Sequence, residues 1–163
     1  MQPGFTGLLR RPLHFLAFGF GAGLAPKAPG TFGTLVALPV YLLLQLPASD
    51  LFYLITVVIM ALLGIPICGR TAKDIGVHDH GGIVWDEITG FLVALIALPA
   101  HWLIVILAFA LFRLFDILKP WPISWLDKNV QGGPGIMLDD IVAGLFSCAI
   151  LHLLLALGWL PVS

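Results

Sequence analysis

Charge is what this chain has least of. Only 10% of its 163 residues are Asp, Glu, Lys or Arg, where a soluble domain averages about 25%. Hydrophobic residues make up 60%, and the mean hydropathy is +1.04. A soluble globule of this size would have too little polar surface to cover itself, so the alternative to a membrane protein is an unusually apolar soluble helical domain. A net charge of −1 removes the cationic field of a general nucleic-acid binder. Cysteine is scarce too. Cys68 and Cys148 sit in apolar runs, as small core residues do, and neither opens a Cys-x5-Arg phosphatase loop. No cleavable leader is expected: no small-x-small site closes the apolar stretch after Arg10-Arg11, and Gly19, Gly21 and Gly23 interrupt it.

What is abundant is apolar sequence in five segments, roughly 34–49, 51–68, 88–99, 102–115 and 141–160. The second and last are long enough to cross about 30 Å of hydrocarbon at about 1.5 Å per residue. The other three are short. Two similar phrases, Leu46-Pro47-Ala48-Ser49 and Leu98-Pro99-Ala100-His101, read as the tips of tight helical hairpins. The expected fold is all-α: one domain over 1–163, a polytopic membrane helical bundle of two short hairpins plus a final helix. The stretch 13–24 is expected as an interfacial helix, with Trp102, Trp121, Trp125 and Trp159 as interface anchors.

Polar residues then sort by side. All eight basic residues (Arg10, Arg11, Lys27, Arg70, Lys73, Arg113, Lys119 and Lys128) fall between hairpins, and so does every acid but Asp50. The positive-inside rule puts that side in the cytoplasm, with the tips and the C-terminus across the membrane.

One acidic phrase occurs twice on that side: Gly82-Ile83-Val84-Trp85-Asp86-Glu87-Ile88 and Gly135-Ile136-Met137-Leu138-Asp139-Asp140-Ile141. A charge at mid-membrane depth costs about 2.5–3.5 kcal/mol on insertion scales. Two acidic pairs at the mouths of apolar segments therefore suggest a shared cation or a proton-handling site. Helix-dipole charges would explain one pair but not the repeat. With Asp116 there are five acids, enough for one Mg²⁺ or a close pair of ions. Adjacent acids on a helix diverge by about 100°, so one can hold a metal while its neighbour orients a water or a lysine.

Three further clusters share the face. Gly23-Leu24-Ala25-Pro26-Lys27-Ala28-Pro29-Gly30-Thr31-Phe32-Gly33-Thr34 is either an anion-binding loop before a helix or an ordinary Pro/Gly loop with a Thr cap. In Lys73-Asp74-Ile75-Gly76-Val77-His78-Asp79-His80-Gly81, a histidine transfers a proton, contacts phosphate, ligates metal or simply hydrogen-bonds. Arg113, Asp116 and Lys119 stack at i, i+3 spacing before Pro120, as a functional row or a plain salt-bridge row. His101 and His152 read as structural.

The stretches GFGAGLAPKAPGTFGTLVALP (19–39), TAKDIGVHDHGGIVWDEITG (71–90) and FRLFDILKPWPISWLDKNVQGGPGIMLDDIVAG (112–144) together resemble the phosphatidylglycerophosphatase A family of bacterial, Mg²⁺-dependent lipid phosphatases. The resemblance implies hydrolysis of phosphatidylglycerophosphate to phosphatidylglycerol and phosphate at the bacterial inner membrane. On that reading Asp86, Glu87, Asp116, Asp139 and Asp140 form the metal and water pool. Asp86, Asp116 and Asp140 are catalytic, with His80, or else His78, protonating the leaving glycerol oxygen. Lys27, Thr31, Lys73, Arg113 and Lys119 are the phosphate partners. A CDP-alcohol phosphotransferase would need an Asp-Gly-x2-Ala-Arg phrase that is absent. A cation or proton transporter using the repeated acids is the rival from another class; its inverted repeats contrast with two copies entering from one face.

Overall fold

Prolines, glycines and a few polar caps cut the apolar sequence into eight α-helices in a computed structural model that describes residues 5–77 and 80–161. They are α1 Phe5–Leu9, α2 Pro12–Ala17, α3 Pro29–Gln45, α4 Asp50–Ile75, α5 Trp85–Ala94, α6 Trp102–Leu118, α7 Ile123–Asn129 and α8 Gly132–Ala156. Among the described residues there is no strand. His78, Asp79 and Ser163 lie outside the described residues.

α4 and α8 are long and apolar enough to cross a membrane. α3 and α6, 17 residues each, reach about 26 Å at about 1.5 Å per residue. α5 and α8 form the centre: α8 packs on α4, α5, α6 and α7, and α5 packs also on α3, α4 and α6. Every residue from Ile88 to Leu95 is buried. The outer helices turn apolar side chains outward, Leu62 of α4 and Leu114 of α6 among them. Such a surface suits lipid and not water.

The two expected hairpins are present, with shifted ends. α3 starts at Pro29, ahead of the expected residue 34, because proline's fixed φ and missing N–H suit a first helical turn. Its tip closes on Ser49, whose Oγ accepts from the Phe52 N–H at 3.2 Å and caps α4. The segment expected as helix over 88–99 stops at Ala94. Ala97 takes a φ of 53°, and Pro99 cannot donate to a continuing helix. Non-helical backbone at membrane depth is tolerated only where protein satisfies it. Here α8 does so: His152 Nε2 donates to the Ile96 carbonyl at 3.0 Å, and the Cys148 thiol reaches the same oxygen at 3.6 Å. His101 caps α6, its Nδ1 accepting from the Leu103 N–H. Both histidines are structural, as expected, and both cysteines are free thiols.

Two expectations need larger correction. The stretch 13–24 is not one interfacial helix: α2 ends at Ala17, and short 3₁₀ turns follow, broken at Phe20 and Gly21 by positive φ. Buried His14 meets Asp74 at 2.9 Å, tying α2 to the last turn of α4, a contact the sequence did not suggest. The final helix starts at Gly132 instead of 141. Its glycine-rich opening lets it lie close against α4, where a Cβ on Gly133 would strike the Ile65 carbonyl. The second acidic pair therefore stands inside a helix, not at its mouth.

Candidate active site

Asp86 and Glu87 occupy the first turn of α5, where unsatisfied N–H groups favour negative charge. Asp139 and Asp140 stand about two turns into α8, beyond the reach of that effect. Tertiary packing brings the pairs together. One turn past the acids, α5 and α8 cross at Gly90 and Gly144. A Cβ on Gly90 would lie 2.7 Å from the Asp140 carbonyl oxygen, and one on Gly144 would strike the Gly90 carbonyl. Only glycines permit this crossing. As a result Asp86, Glu87 and Asp140 each place a carboxylate oxygen within 4.8 Å of the others.

Two cations flank the cluster. Arg113 and Asp116 form an i, i+3 ion pair near the end of α6. Lys119 does not continue that row. It leaves the helix with a φ of 44°, and its Nζ donates to Asp127 at 2.6 Å and to Asp139 at 2.8 Å. Burial alone would lower the Lys119 pKa, but the hydrogen bonds and charges of Asp127 and Asp139 outweigh it and hold the group above the usual lysine value. The start of α3 closes the site: a side chain at Gly30 would meet Glu87 Oε1 and, at 3.0 Å, Arg113 Nη1.

A cavity of about 90 Å³ opens among these groups, lined by Asp86, Asp116, Lys119, Asp127, Val130, Gly135, Ile136, Asp139 and Asp140. That is room for a few waters or a small hydrated ion. Asp86, Glu87, Asp116, Asp127, Asp139 and Asp140 face Arg113 and Lys119, so carboxylates outnumber cations at the site. Glu87 Oε2, Asp139 Oδ1 and Asp140 Oδ2 are buried without a hydrogen-bond partner among the described residues. Buried carboxylate oxygens left so are costly unless a cation meets them. An all-oxygen donor set suits a hard divalent ion such as Mg²⁺ better than zinc or copper. The residues fit a metal.

Of the residues singled out in the sequence, Asp86, Asp116, Lys119, Asp139 and Asp140 line this cavity, and Glu87 and Arg113 adjoin it. The acidic pairs divide their work differently. Asp139 turns to Lys119 while Asp140 joins Asp86 and Glu87, the divergence expected of neighbours on a helix. Four other residues do not line the cavity. Lys27 and Lys73 are exposed, Thr31 is half-buried near the start of α3, and His80 packs against Phe18 while its Nδ1 accepts from the Gly82 N–H at 3.0 Å. Asp127 escaped notice because nothing in its spacing links α7 to α6. The crossing glycines carried a faint signal, each lying four residues after an acid.

The chain matches the family model "Phosphatidylglycerophosphatase A" over residues 15–155. It is 50% identical over 145 residues to Phosphatidylglycerophosphatase A of Escherichia coli (strain K12), covering 88% of this chain and 84% of the relative. It is 45% identical over 140 residues to Phosphatidylglycerophosphatase A of Haemophilus influenzae, covering 85% and 86%. A third relative, named as a candidate phosphatidylinositol-3-phosphatase of Bacteroides thetaiotaomicron, is 37% identical over 154 residues, covering 90% and 91%. No solved structure matches the chain. With a family model spanning most of its length and two relatives of that name at such identity, the chain belongs to the phosphatidylglycerophosphatase A family.

Proposed function

We propose that the chain hydrolyses phosphatidylglycerophosphate to phosphatidylglycerol and phosphate, at the cytoplasmic face of a bacterial inner membrane, with Mg²⁺ held by Asp86, Glu87 and Asp140. The observation that carries the reading is the three-carboxylate cluster flanked by Arg113 and Lys119 at the end of a lipid-facing bundle. Mg²⁺, when bound there, supplies charge neutralisation for the phosphoryl group and polarisation of a water.

The chain's own groups do the rest. Arg113 and Lys119 offer N–H donors to the phosphoryl oxygens, where charge spreads as the phosphorus–oxygen bond to glycerol breaks. Asp116 and Asp139 hold these two cations in place. Asp116, on the cavity wall, takes the proton of the attacking water, whose oxygen bonds to phosphorus. The glycerol oxygen leaves as its bond to phosphorus breaks and takes up the proton that Asp116 received, so alcohol and phosphate depart with Asp116 ionised again. His80 lies outside the cavity lining, which argues against its touching the leaving group directly. Exposed Lys27 and Lys73 serve instead to draw the basic face toward anionic lipid headgroups.

Phosphate release from phosphatidylglycerophosphate by the purified chain is the test, with phosphatidylinositol 3-phosphate as the comparison in view of the Bacteroides relative. A clear preference for the glycerol substrate is expected. A preference for the inositol lipid would reassign the headgroup, and no release from either would remove the phosphatase reading.

Orientation is checked separately, by single cysteines in a background lacking Cys68 and Cys148. A cysteine at Lys128 should react with an impermeant reagent only from the cytoplasmic side, and one at Ser49 only from the other. All eight bases on one side of the apolar segments motivate this. The reverse labelling would place the acids outside the cell.

A further inference from the structure

α3 and α6 each pack on α5, and an apolar groove runs between them from the hairpin tips toward the acids. Its walls are stripes at helical spacing: Leu42, Leu38 and Leu35 on α3 against Trp102, Ile106 and Phe109 on α6. Leu38, Val105 and Ile106 belong to both its upper and lower parts, so the trough is continuous. The next turn of each stripe turns polar. Four residues beyond Phe109 on α6 stands Arg113, and four residues before Leu35 on α3 stands Thr31, beside Gly30 and its close approach to the Arg113 guanidinium. Residues i and i+4 share a helix face, so the groove runs down to Arg113.

We infer that this groove holds an acyl chain of the lipid whose phosphate is hydrolysed, an inference that rests on the lipid-phosphatase reading above. Length supports that occupant. From Trp102 to Arg113 the wall runs about 17 Å at about 1.5 Å per residue, close to the roughly 15 Å of one leaflet of a 30 Å hydrocarbon core. Continuity supports it too. A lipid anchored by its phosphate near Arg113 has its chains start where the groove starts, so binding energy along the groove can be used to position the reacting bond. A chain from bulk lipid would gain the same apolar contact but nothing from Arg113. The groove thereby separates lipid phosphomonoesters from soluble ones of the same headgroup.

The test compares kcat/KM for a long-chain substrate with that for a short-chain analogue of the same headgroup, using the full chain in detergent. Leu38→Trp and Val105→Trp fill the trough, and each should lower the long-to-short ratio at least about tenfold. Ile106→Ala, which cannot overfill the bundle, removes wall contact and should lower the same ratio about threefold. Leu62→Trp, on the exposed apolar face of α4 away from the groove, should leave the ratio unchanged. If either Trp variant is inactive on both substrates, Ile106→Ala decides. Equal losses on both substrates, or as large a drop in ratio for Leu62→Trp, would overturn the groove and leave the phosphatase reading standing. No phosphate release by the unsubstituted chain from either substrate would overturn that reading as well.

Discussion

Asp86→Asn and Asp140→Asn should each lower kcat/KM about a thousandfold or more, and the double variant should be scarcely worse than either single one. Groups that act as a unit lose their function together, so removing a second member of a disabled unit costs little more. Asp86, Glu87 and Asp140 meet that description, with oxygens within 4.8 Å of one another although they come from two helices. Independent charges would instead give multiplicative losses in rate. The measurement is kcat/KM for both singles and the double at saturating Mg²⁺, with thermal stability followed in parallel. Asn keeps the shape and relieves repulsion among carboxylates, so without Mg²⁺ stability should hold or rise, and at saturating Mg²⁺ the protein should still fold while turnover collapses. Asp50→Asn is the control: Asp50 lies at the opposite end of α4, exposed at a hairpin tip, and its loss should leave the rate intact. Multiplicative losses for Asp86 and Asp140 would mean that the two helices do not share one centre. Loss of turnover in Asp50→Asn would place the chemistry elsewhere.

Much of this arrangement is legible in the sequence. The hairpins were legible because proline and short polar phrases punctuate apolar runs, and a membrane charges heavily for exposed backbone. The acid repeat was legible because carboxylates are conspicuous in a chain with so little charge. What escaped the sequence depends on contacts between distant elements. Pro99 marks a stop, but nothing in Leu95 to His101 announces that α5 already ends at Ala94, because the partners that make this tolerable, His152 and Cys148, lie on α8. Lys119 looked like the third member of an i, i+3 row. Its left-handed backbone turns it instead toward Asp127 and Asp139. His80 drew attention through its His-x-His phrase, yet it is held by its own loop and by Phe18. Residue type told which chemistry was present; helix crossing decided which of those residues meet.

Removing divalent metal should abolish turnover and also loosen the fold, and both should return with Mg²⁺. The motivation is electrostatic. Glu87 Oε2, Asp139 Oδ1 and Asp140 Oδ2 are buried with no hydrogen-bond partner among the described residues, and the nearby cations Arg113 and Lys119 are already engaged by Asp116, Asp127 and Asp139. Repulsion in so crowded a group is relieved by a bound cation, and that relief is stability. A ligand at about 100 times its Kd stabilises the folded state by about 2.7 kcal/mol. Chelator should therefore lower Tm, and added Mg²⁺ should raise it in a concentration-dependent way. Mn²⁺, a hard ion that also takes oxygen ligands, should substitute; Zn²⁺ has no thiolate or imidazole in the cluster to favour it. In Asp140→Asn the Mg²⁺-dependent rise in Tm should largely vanish, because one of three ligands is gone. In Asp50→Asn the rise should be unchanged. That contrast separates binding at the cluster from a general effect of salt on a charged face, which Asp140→Asn would leave in place. Full activity in excess chelator, or a rise in Tm that survives in Asp140→Asn, would remove the metal from Asp86, Glu87 and Asp140.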